Sequence, residues 1–320
     1  MLILNEEIIS KIVDPLELTN IMEQAMLSYA SGDFVMPDRV HMDFDGNTLL
    51  LMPCSSGKFF STKLVSLFPD NPVKGEPVLY GSVMLNDGSN GKALALLNGA
   101  KLTAVRTAAV GSAGIRHTSP KNASTLGLVG AGVQGLHQIL FACKNRPIEK
   151  VWVLDQNTSL VDTLIKELKV QLPDVEFIAA KDSIELCRES EIIITATNAC
   201  TPVLPDVAEL LRGKTIIAIG SYKPEMIEMP EALYPLLKHC FIDVNMAMEE
   251  SGDLIHPLSS GMLKSNQIHS LSDIITAKLN IDATETSLYK SVGMALFDLF
   301  SAVYIYDVAL KSGLGQEVSF

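Results

Sequence analysis

The chain has 320 residues, 48% of them hydrophobic, and a formal charge of −12, which is material for two packed cores and the wrong sign for nucleic-acid phosphates or anionic lipid. Its start, MLILNEEIISK, carries acids where a secretory leader needs basic residues, and no apolar run approaches the roughly 18 residues of a membrane span, so a soluble cytoplasmic protein is expected. The cysteines (Cys54, Cys143, Cys187, Cys200, Cys240) lie far apart without a Cys-x-x-Cys, which suits reduced thiols, and the histidines show no zinc-ligand spacing, so no metal is expected.

Ile12, Leu16, Ile21, Met22, Ala25, Met26 and Tyr29 recur at helical spacing and predict an amphipathic helix over 13–30. TLLLMP, FFSTKLVSLF, PVLYGSVML and GKALALLN then read as short strands, with NDGSNG as the hairpin turn between the last two. Residues 101–117 return to a helical pattern of small side chains that ends at HTSPKN, where Pro120 and the polar run break it. From Ser124, short apolar strands (TLGLVG, KVWVLD, VEFIA, EIIITAT, KTIIAIG, CFIDV) alternate with helical segments, the signature of a parallel sheet covered on both faces. This predicts one α/β domain over 118–285. The last segment, ETSLYKSVGMALFDLFSAVYIYDVALKSG, reads as one long apolar helix expected to pack on the N-terminal region or on a second subunit.

Gly130, Gly132 and Gly135 form a G-x-G-x-x-G that follows the strand TLGLV and opens a helix. In that setting Gly130 makes the tight turn, Gly132 lets the backbone approach a pyrophosphate, and Gly135 lets helix and sheet pack closely, while free N–H groups at the helix start hold the phosphates. Asp155 ends the next strand about 25 residues past Gly130, near the roughly 20 usual for a carboxylate on the adenine ribose. An acid there favours NAD(H). NADP(H) stays open, because Gln156 and Asn157 accommodate a phosphate if the acid rotates away. A flavin uses the same kind of turn, but the chain's start offers no second fold for one.

Three cations precede the turn: Arg39 in MPDRVHMD, Lys63 in FFSTKLVSLF and Arg106 in LTAVRTAAVG. Lys63 stands mid-strand among apolar neighbours, and the small residues around Arg106 imply close packing. Charges so placed are costly unless paired, either with a protein carboxylate or with an anionic substrate. An arginine grips a carboxylate with its planar fork, and a lysine adds a point charge or a movable proton.

Pro37-Asp38-Arg39, Leu51-Met52-Pro53 followed by Lys63 and Phe68-Pro69, LTAVRTAA, VGAGVQG, AIGSYKPEMIEMPE, ESGDL and SVGMALFD together resemble the ornithine cyclodeaminase/μ-crystallin family nearly end to end. That family includes ornithine and lysine cyclodeaminases, an archaeal type of alanine dehydrogenase, and ketimine reductases acting on Δ1-pyrroline-2-carboxylate or Δ1-piperideine-2-carboxylate. The resemblance implies an α/β fold: a Rossmann-type doubly wound parallel sheet over 118–285, inserted in an α+β substrate-binding and dimerisation domain made of 1–117 and 286–320, in a homodimer. It implies that Arg39, Lys63 and Arg106 meet a substrate carboxylate with Val292 as a further substrate contact. Arg106 and Thr107 then stand beside the cofactor, and Val133, Gln134, Asp155, Thr197, Ile219, Gly220, Ser221, Tyr222 and Ser291 match cofactor contacts.

The departure from the family is at Gly220-Ser221-Tyr222-Lys223-Pro224, where cyclodeaminases carry Gly-Gly-Asp-x-Pro: Tyr222 takes the place of the Asp that handles the distal amine, and Leu50 stands where a second acid is expected. A phenol of pKa about 10 is poorly suited to that work. Reduction of a ready-made cyclic imine needs only a carboxylate clamp, a proton source and a hydride. The expected activity is therefore NAD(P)H-dependent ketimine reduction, giving proline or pipecolate, with Lys63 as proton donor, Tyr222 as a weaker catalytic candidate, and Asp298 structural. The alternatives are ornithine cyclodeaminase, an alanine-type amino-acid dehydrogenase, and a non-enzymatic nucleotide-binding protein.

Overall fold

A computed structural model describes residues 1–319. They form two compact units, the first made of Met1–Arg106 with the chain from Met294 onward, the second of Thr107–Gly293.

In the first unit the strands Leu2–Leu4 (β1), Val40–Phe44 (β2), Asn47–Ser56 (β3), Phe59–Leu67 (β4), Leu79–Asp87 (β5) and Ala93–Asn98 (β6), with Gln316–Glu317 near the C-terminus, make one sheet. Neighbours from β2 to β6 pair antiparallel, whereas β1 joins β6 in parallel. After the short helix Glu6–Ile12 (α1), the helix Pro15–Ser31 (α2) starts at Asp14, whose side chain accepts from the N–H groups of Leu16 and Glu17 at 2.9 Å, and ends at Gly32 in the left-handed conformation. It buries Leu18, Met22, Ala25 and Met26, the stripe that the sequence periodicity marks. The C-terminal helix Ala295–Ser312 packs on α2, β3, β4 and β5, as expected for a helix that returns to the N-terminal region. Along β4 the side chains alternate, and Ser61, Lys63 and Val65 fall on the buried face.

The second unit carries an all-parallel sheet of Thr125–Val129 (β7), Lys150–Leu154 (β8), Glu176–Ala179 (β9), Ile192–Thr195 (β10), Thr215–Ala218 (β11), His239–Ile242 (β12), Ile268–Ser270 (β13) and Ser287–Lys290 (β14), in the order β13-β12-β14-β11-β10-β7-β8-β9. Because β7 lies between β8 and β10, the strand order reverses there, and that switch point is where doubly wound sheets take ligands. β10, β11 and β14 are buried at every position, which explains the apolar runs Ile192–Ile194 and Ile216–Ala218 in the first two.

Two expectations need correction. Ser287–Lys290, read as part of a long terminal helix, is a strand between β11 and β12, and Gly293, at φ +76°, separates it from the helix that begins at Ala295. Leu288 and Tyr289 are apolar in either structure, and four residues are too few for helical and strand periods to be told apart. The unit joints consequently differ from the expected 117/118 and 285/286: the second unit takes in β14, and the helix Gly99–Thr118 (α3) is divided after Arg106. Its later half belongs with the second unit because Gly111 and Gly114 let it approach Gln138 and Tyr289 so closely that a Cβ at either glycine would collide with those side chains.

Candidate active site

The first unit buries a charged cluster on the inner face of its sheet. Lys63 sits mid-β4 opposite Met52 and Val83, and Arg106 stands two turns into α3. Asp298, in the first turn of the C-terminal helix, pairs with both: Lys63 Nζ lies 2.6 Å from its Oδ2 as an ion pair, and Arg106 Nε donates to its Oδ1 at 3.1 Å. Asp298, expected to be merely structural, is therefore the internal partner of two of the three expected clamp residues. Only Nε of Arg106 is engaged by Asp298. Its terminal Nη1 and Nη2 make no hydrogen bond to protein among the described residues. Burial holds the Lys63 ammonium down to a pKa of about 8 from 10.5; the Asp298 carboxylate opposes that fall, and the Arg106 and Arg39 charges add to it. Arg39, half-buried just before β2, is thus within electrostatic reach of Lys63, while Lys63 and Arg106 share one carboxylate.

The second unit carries the glycine turn. Gly130 adopts φ +107°, and a Cβ there would come 2.5 Å from the carbonyl oxygen of Ala196. A Cβ at Gly135 would strike the carbonyl oxygen of Gly130, which is how the helix Val133–Asn145 (α4) packs so close to β7. A Cβ at Gly132 would meet nothing within 4 Å, so the protein itself does not need that glycine, whereas a ligand approaching the backbone would. Gly132 caps α4 without a side-chain bond, and the first intrahelical bond is from Leu136 N–H to Gly132 C=O at 3.1 Å. The N–H groups of Val133, Gln134 and Gly135 therefore point out of the helix start toward that open space. Asp155 follows β8, its Oδ2 accepting from Ala131 N–H and its Oδ1 from Asn157 N–H, each at 2.8 Å. The rotation that would admit a 2′-phosphate beside Gln156 and Asn157 breaks both bonds. These residues fit a dinucleotide with a free ribose diol.

Other expected contacts lie at the carboxyl ends of β10, β11 and β14. Thr197 N–H and Oγ1 both donate to Glu228 Oε1 at 2.8 Å. Gly220 and Ser221 donate their N–H groups to Glu228 Oε2 at 2.9 and 3.2 Å, after Ile219 at the end of β11. The Ser221 hydroxyl donates to Met226 C=O, and that of Ser291 donates to Asp243 Oδ2, each at 2.6 Å. These two hydroxyls are engaged inside the protein. Asp243 also accepts from Gly293 N–H at 2.8 Å, fixing the loop that carries Val292. Thr107 accepts through its carbonyl from Gln138 Nε2 at 3.0 Å. Tyr222 is exposed, its ring 6.0 Å from Lys223 Nζ, and it is not among the groups bonded to Glu228 or Asp243. Sequence reasoning missed Glu228, Asp243, Asp253 and Lys290, although all four follow or lie in apolar strand and loop runs where a buried charge must have a structural reason.

A sequence model of the ornithine cyclodeaminase/mu-crystallin family matches residues 1–313. The chain belongs to that family. Among its relatives is a Delta(1)-pyrroline-2-carboxylate reductase of Bacillus cereus, 31% identical over 330 aligned residues that cover 100% of both chains. A second, from Bacillus thuringiensis, is 32% identical over 92% of this chain and 93% of its own. The solved Thermococcus litoralis Delta(1)-pyrroline-2-carboxylate reductase, in complex with NADH and L-proline, superposes with a TM-score of 0.92 at 30% identity, over 99% of this chain and 100% of that one. An alanine dehydrogenase of Archaeoglobus fulgidus is also similar, at 26% identity over 100% of this chain and 98% of its own. Within the ornithine cyclodeaminase/mu-crystallin family, the α/β fold with its parallel nucleotide-type sheet is shared.

Proposed function

We propose that this chain reduces a cyclic ketimine carboxylate with NADH, taking Δ1-pyrroline-2-carboxylate to L-proline and its six-membered homologue Δ1-piperideine-2-carboxylate to L-pipecolate. The observation that carries this is the way Asp298 holds Arg106 by Nε alone, which leaves the outer edge of the guanidinium for a second carboxylate. Lys63 and Arg106 share the single carboxylate of Asp298, a net positive pairing that favours an anion there, and the imino-acid carboxylate is that anion.

In this reading Arg106 Nη1 and Nη2 bind the carboxylate and Arg39 adds charge at its rim. Lys63 Nζ, its pKa lowered to about 8, holds the proton that the imine nitrogen needs, near the operating pH where a general acid works best. Asp298 keeps that ammonium oriented. When bound, NADH supplies the hydride to the imine carbon, and the product is the secondary amine of the imino acid. Asp155, Gly132 and the N–H groups opening α4 hold the dinucleotide, with NADPH the weaker partner because Asp155 is anchored by two backbone N–H groups. The first unit serves substrate binding and dimerisation and the second serves the dinucleotide. Assembly as a homodimer is supported by the edge strand β2, which leaves Val40, Met42 and Phe44 exposed. Among the described residues no helix is long and apolar enough to cross a membrane, in keeping with a role in the cytoplasm.

The test is a substrate panel: purified protein with NADH or NADPH against both cyclic imines, against pyruvate plus ammonium, and with L-ornithine and NAD. Oxidation of NADH by the imines, with no ammonia from ornithine, is the expected result. Ammonia release from ornithine would turn the reading to a cyclodeaminase, NADH loss with pyruvate plus ammonium to a dehydrogenase, and NADH binding without turnover to a binding protein.

A further inference from the structure

Behind the carboxyl ends of the parallel strands lies a second buried charge cluster that the reaction does not use. Glu228, Asp253 and Lys290 are all wholly buried. Glu228 accepts five hydrogen bonds: Oε1 from Thr197 N–H and Thr197 Oγ1, and Oε2 from Thr195 Oγ1 at 2.9 Å, Gly220 N–H and Ser221 N–H. Its own backbone N–H, and that of Met229, donate to Asp253 Oδ1 at 2.7 and 3.0 Å, and Asp253 Oδ2 faces Lys290 Nζ at 3.5 Å. Three neighbouring strands, β10, β11 and β14, are thereby tied to one anion and its counter-charge.

Burial pushes the Glu228 pKa up, with Asp253 adding to the rise, while Lys290 and the Thr197 bonds pull it down. The donor set favours the anion, since a protonated oxygen would aim its own hydrogen at a donor. Burying a charge on this scale is worthwhile only where a fixed geometry matters. Of the backbone that Glu228 holds, Thr197 follows β10 and flanks the switch point of the sheet, where doubly wound folds receive a ligand, and Gly220–Ser221 follows the next strand, β11.

We infer that Glu228 is a positioning residue for the nicotinamide cofactor: it fixes the two loops after β10 and β11, and Asp253 with Lys290 fixes Glu228. This rests on the reading of the second unit as the NADH site. A Glu228→Gln change keeps the volume but turns an amide –NH2 toward donors. Hydroxyls can rotate away, whereas the N–H groups of Thr197, Gly220 and Ser221 cannot, so either amide orientation leaves a backbone donor facing another donor.

The experiment measures NADH affinity by energy transfer from Trp152, the single tryptophan, in the full-length protein and two variants, with thermal melts and steady-state kinetics beside it. Glu228→Gln is expected to weaken NADH binding about tenfold and lower kcat, with KM for the imine unchanged at saturating NADH. Thr195→Val is the second variant, because Thr195 is wholly buried and cannot touch a cofactor. It removes one hydroxyl bond to Glu228 without changing shape, so its expected loss of about threefold must pass through Glu228. It also keeps the test decisive if Glu228→Gln fails to fold. Variants that melt lower yet bind NADH as the parent does would overturn the inference and leave the carboxylate a structural tie only. A parent protein that binds no NADH would instead overturn the reading of the second unit.

Discussion

The two units each bury a charged cluster, and the clusters differ in what is left unengaged. In the second, two acids face one lysine, and the Glu228 carboxylate is surrounded by protein donors, five of them, two from hydroxyls and three from backbone N–H groups. In the first, Lys63 and Arg106 face one acid, and Arg106 keeps its outer nitrogens unengaged beside a lysine whose ammonium is already strained by burial. A carboxylate filled by protein donors fixes backbone, as Glu228 does, while Asp253 Oδ2 and Lys290 Nζ beside it meet only as an ion pair at 3.5 Å. A guanidinium edge with no protein acceptor is instead open to a ligand anion. On the proposed reading the first cluster holds substrate, and on the inference drawn from Glu228 the second is scaffolding beneath the cofactor.

The contrast breaks most visibly at Lys63. Lys63→Met removes the proposed proton while leaving the second unit untouched, so turnover of the imine is expected to fall by about a thousandfold or more with NADH affinity within about twofold. Single-turnover kinetics and NADH titration on the same sample check both halves, and retained turnover would strip Lys63 of its role. Asp298→Asn acts on stability before chemistry. It leaves two buried cations without their counter-charge, and a loss of about 3–5 kcal/mol is expected by urea unfolding. A loss near zero would mean that Lys63 sheds its proton when unpaired.

The glycine turn sharpens the comparison within one motif. Gly130→Ala places a Cβ at 2.5 Å from the Ala196 carbonyl oxygen on a backbone of positive φ, so at least about 1–3 kcal/mol of stability is lost whatever is bound. Gly132→Ala meets no protein atom within 4 Å, so its melting point stays within the range of a neutral surface change, about 0.5 kcal/mol, while NADH affinity falls. Equal NADH affinity in Gly132→Ala and parent would remove the pyrophosphate from that position.

What the sequence made legible follows the same division. The period-2 strands β3 to β6, the α2 stripe, the turn at Gly130 and the acid at Asp155 are all local patterns, and all stand where the pattern put them. The convergence of Lys63 and Arg106 was legible as two costly charges and through the family resemblance, but their internal partner was not, because Asp298 is 192 residues from Arg106 and sits in a helix whose neighbours are apolar. Glu228 and Asp253 lay inside stretches, EMIEMPE and ESGDL, that resemble the family, yet a carboxylate that accepts from strand ends has no spacing to betray it. β14 was lost for a different reason: four buried residues run straight toward a helix, and only pairing with β11 and β12 makes them a strand.

The smallest expected effect is the most diagnostic of Lys63, because activity and stability move in opposite directions. Its folded pKa of about 8 lies below the ordinary 10.5, so between those values the unfolded chain binds the extra proton and the folded chain does not. Stability therefore rises with pH across that window, as the buried ammonium becomes neutral. Imine reduction needs the proton, so kcat/KM falls through the same window with a one-proton limb near 8. Asp298 holds the Lys63 pKa up, and its replacement by Asn moves that limb to lower pH. A limb that stays in place in Asp298→Asn would assign the titration to the substrate or to another group, and Lys63 would keep only its charge.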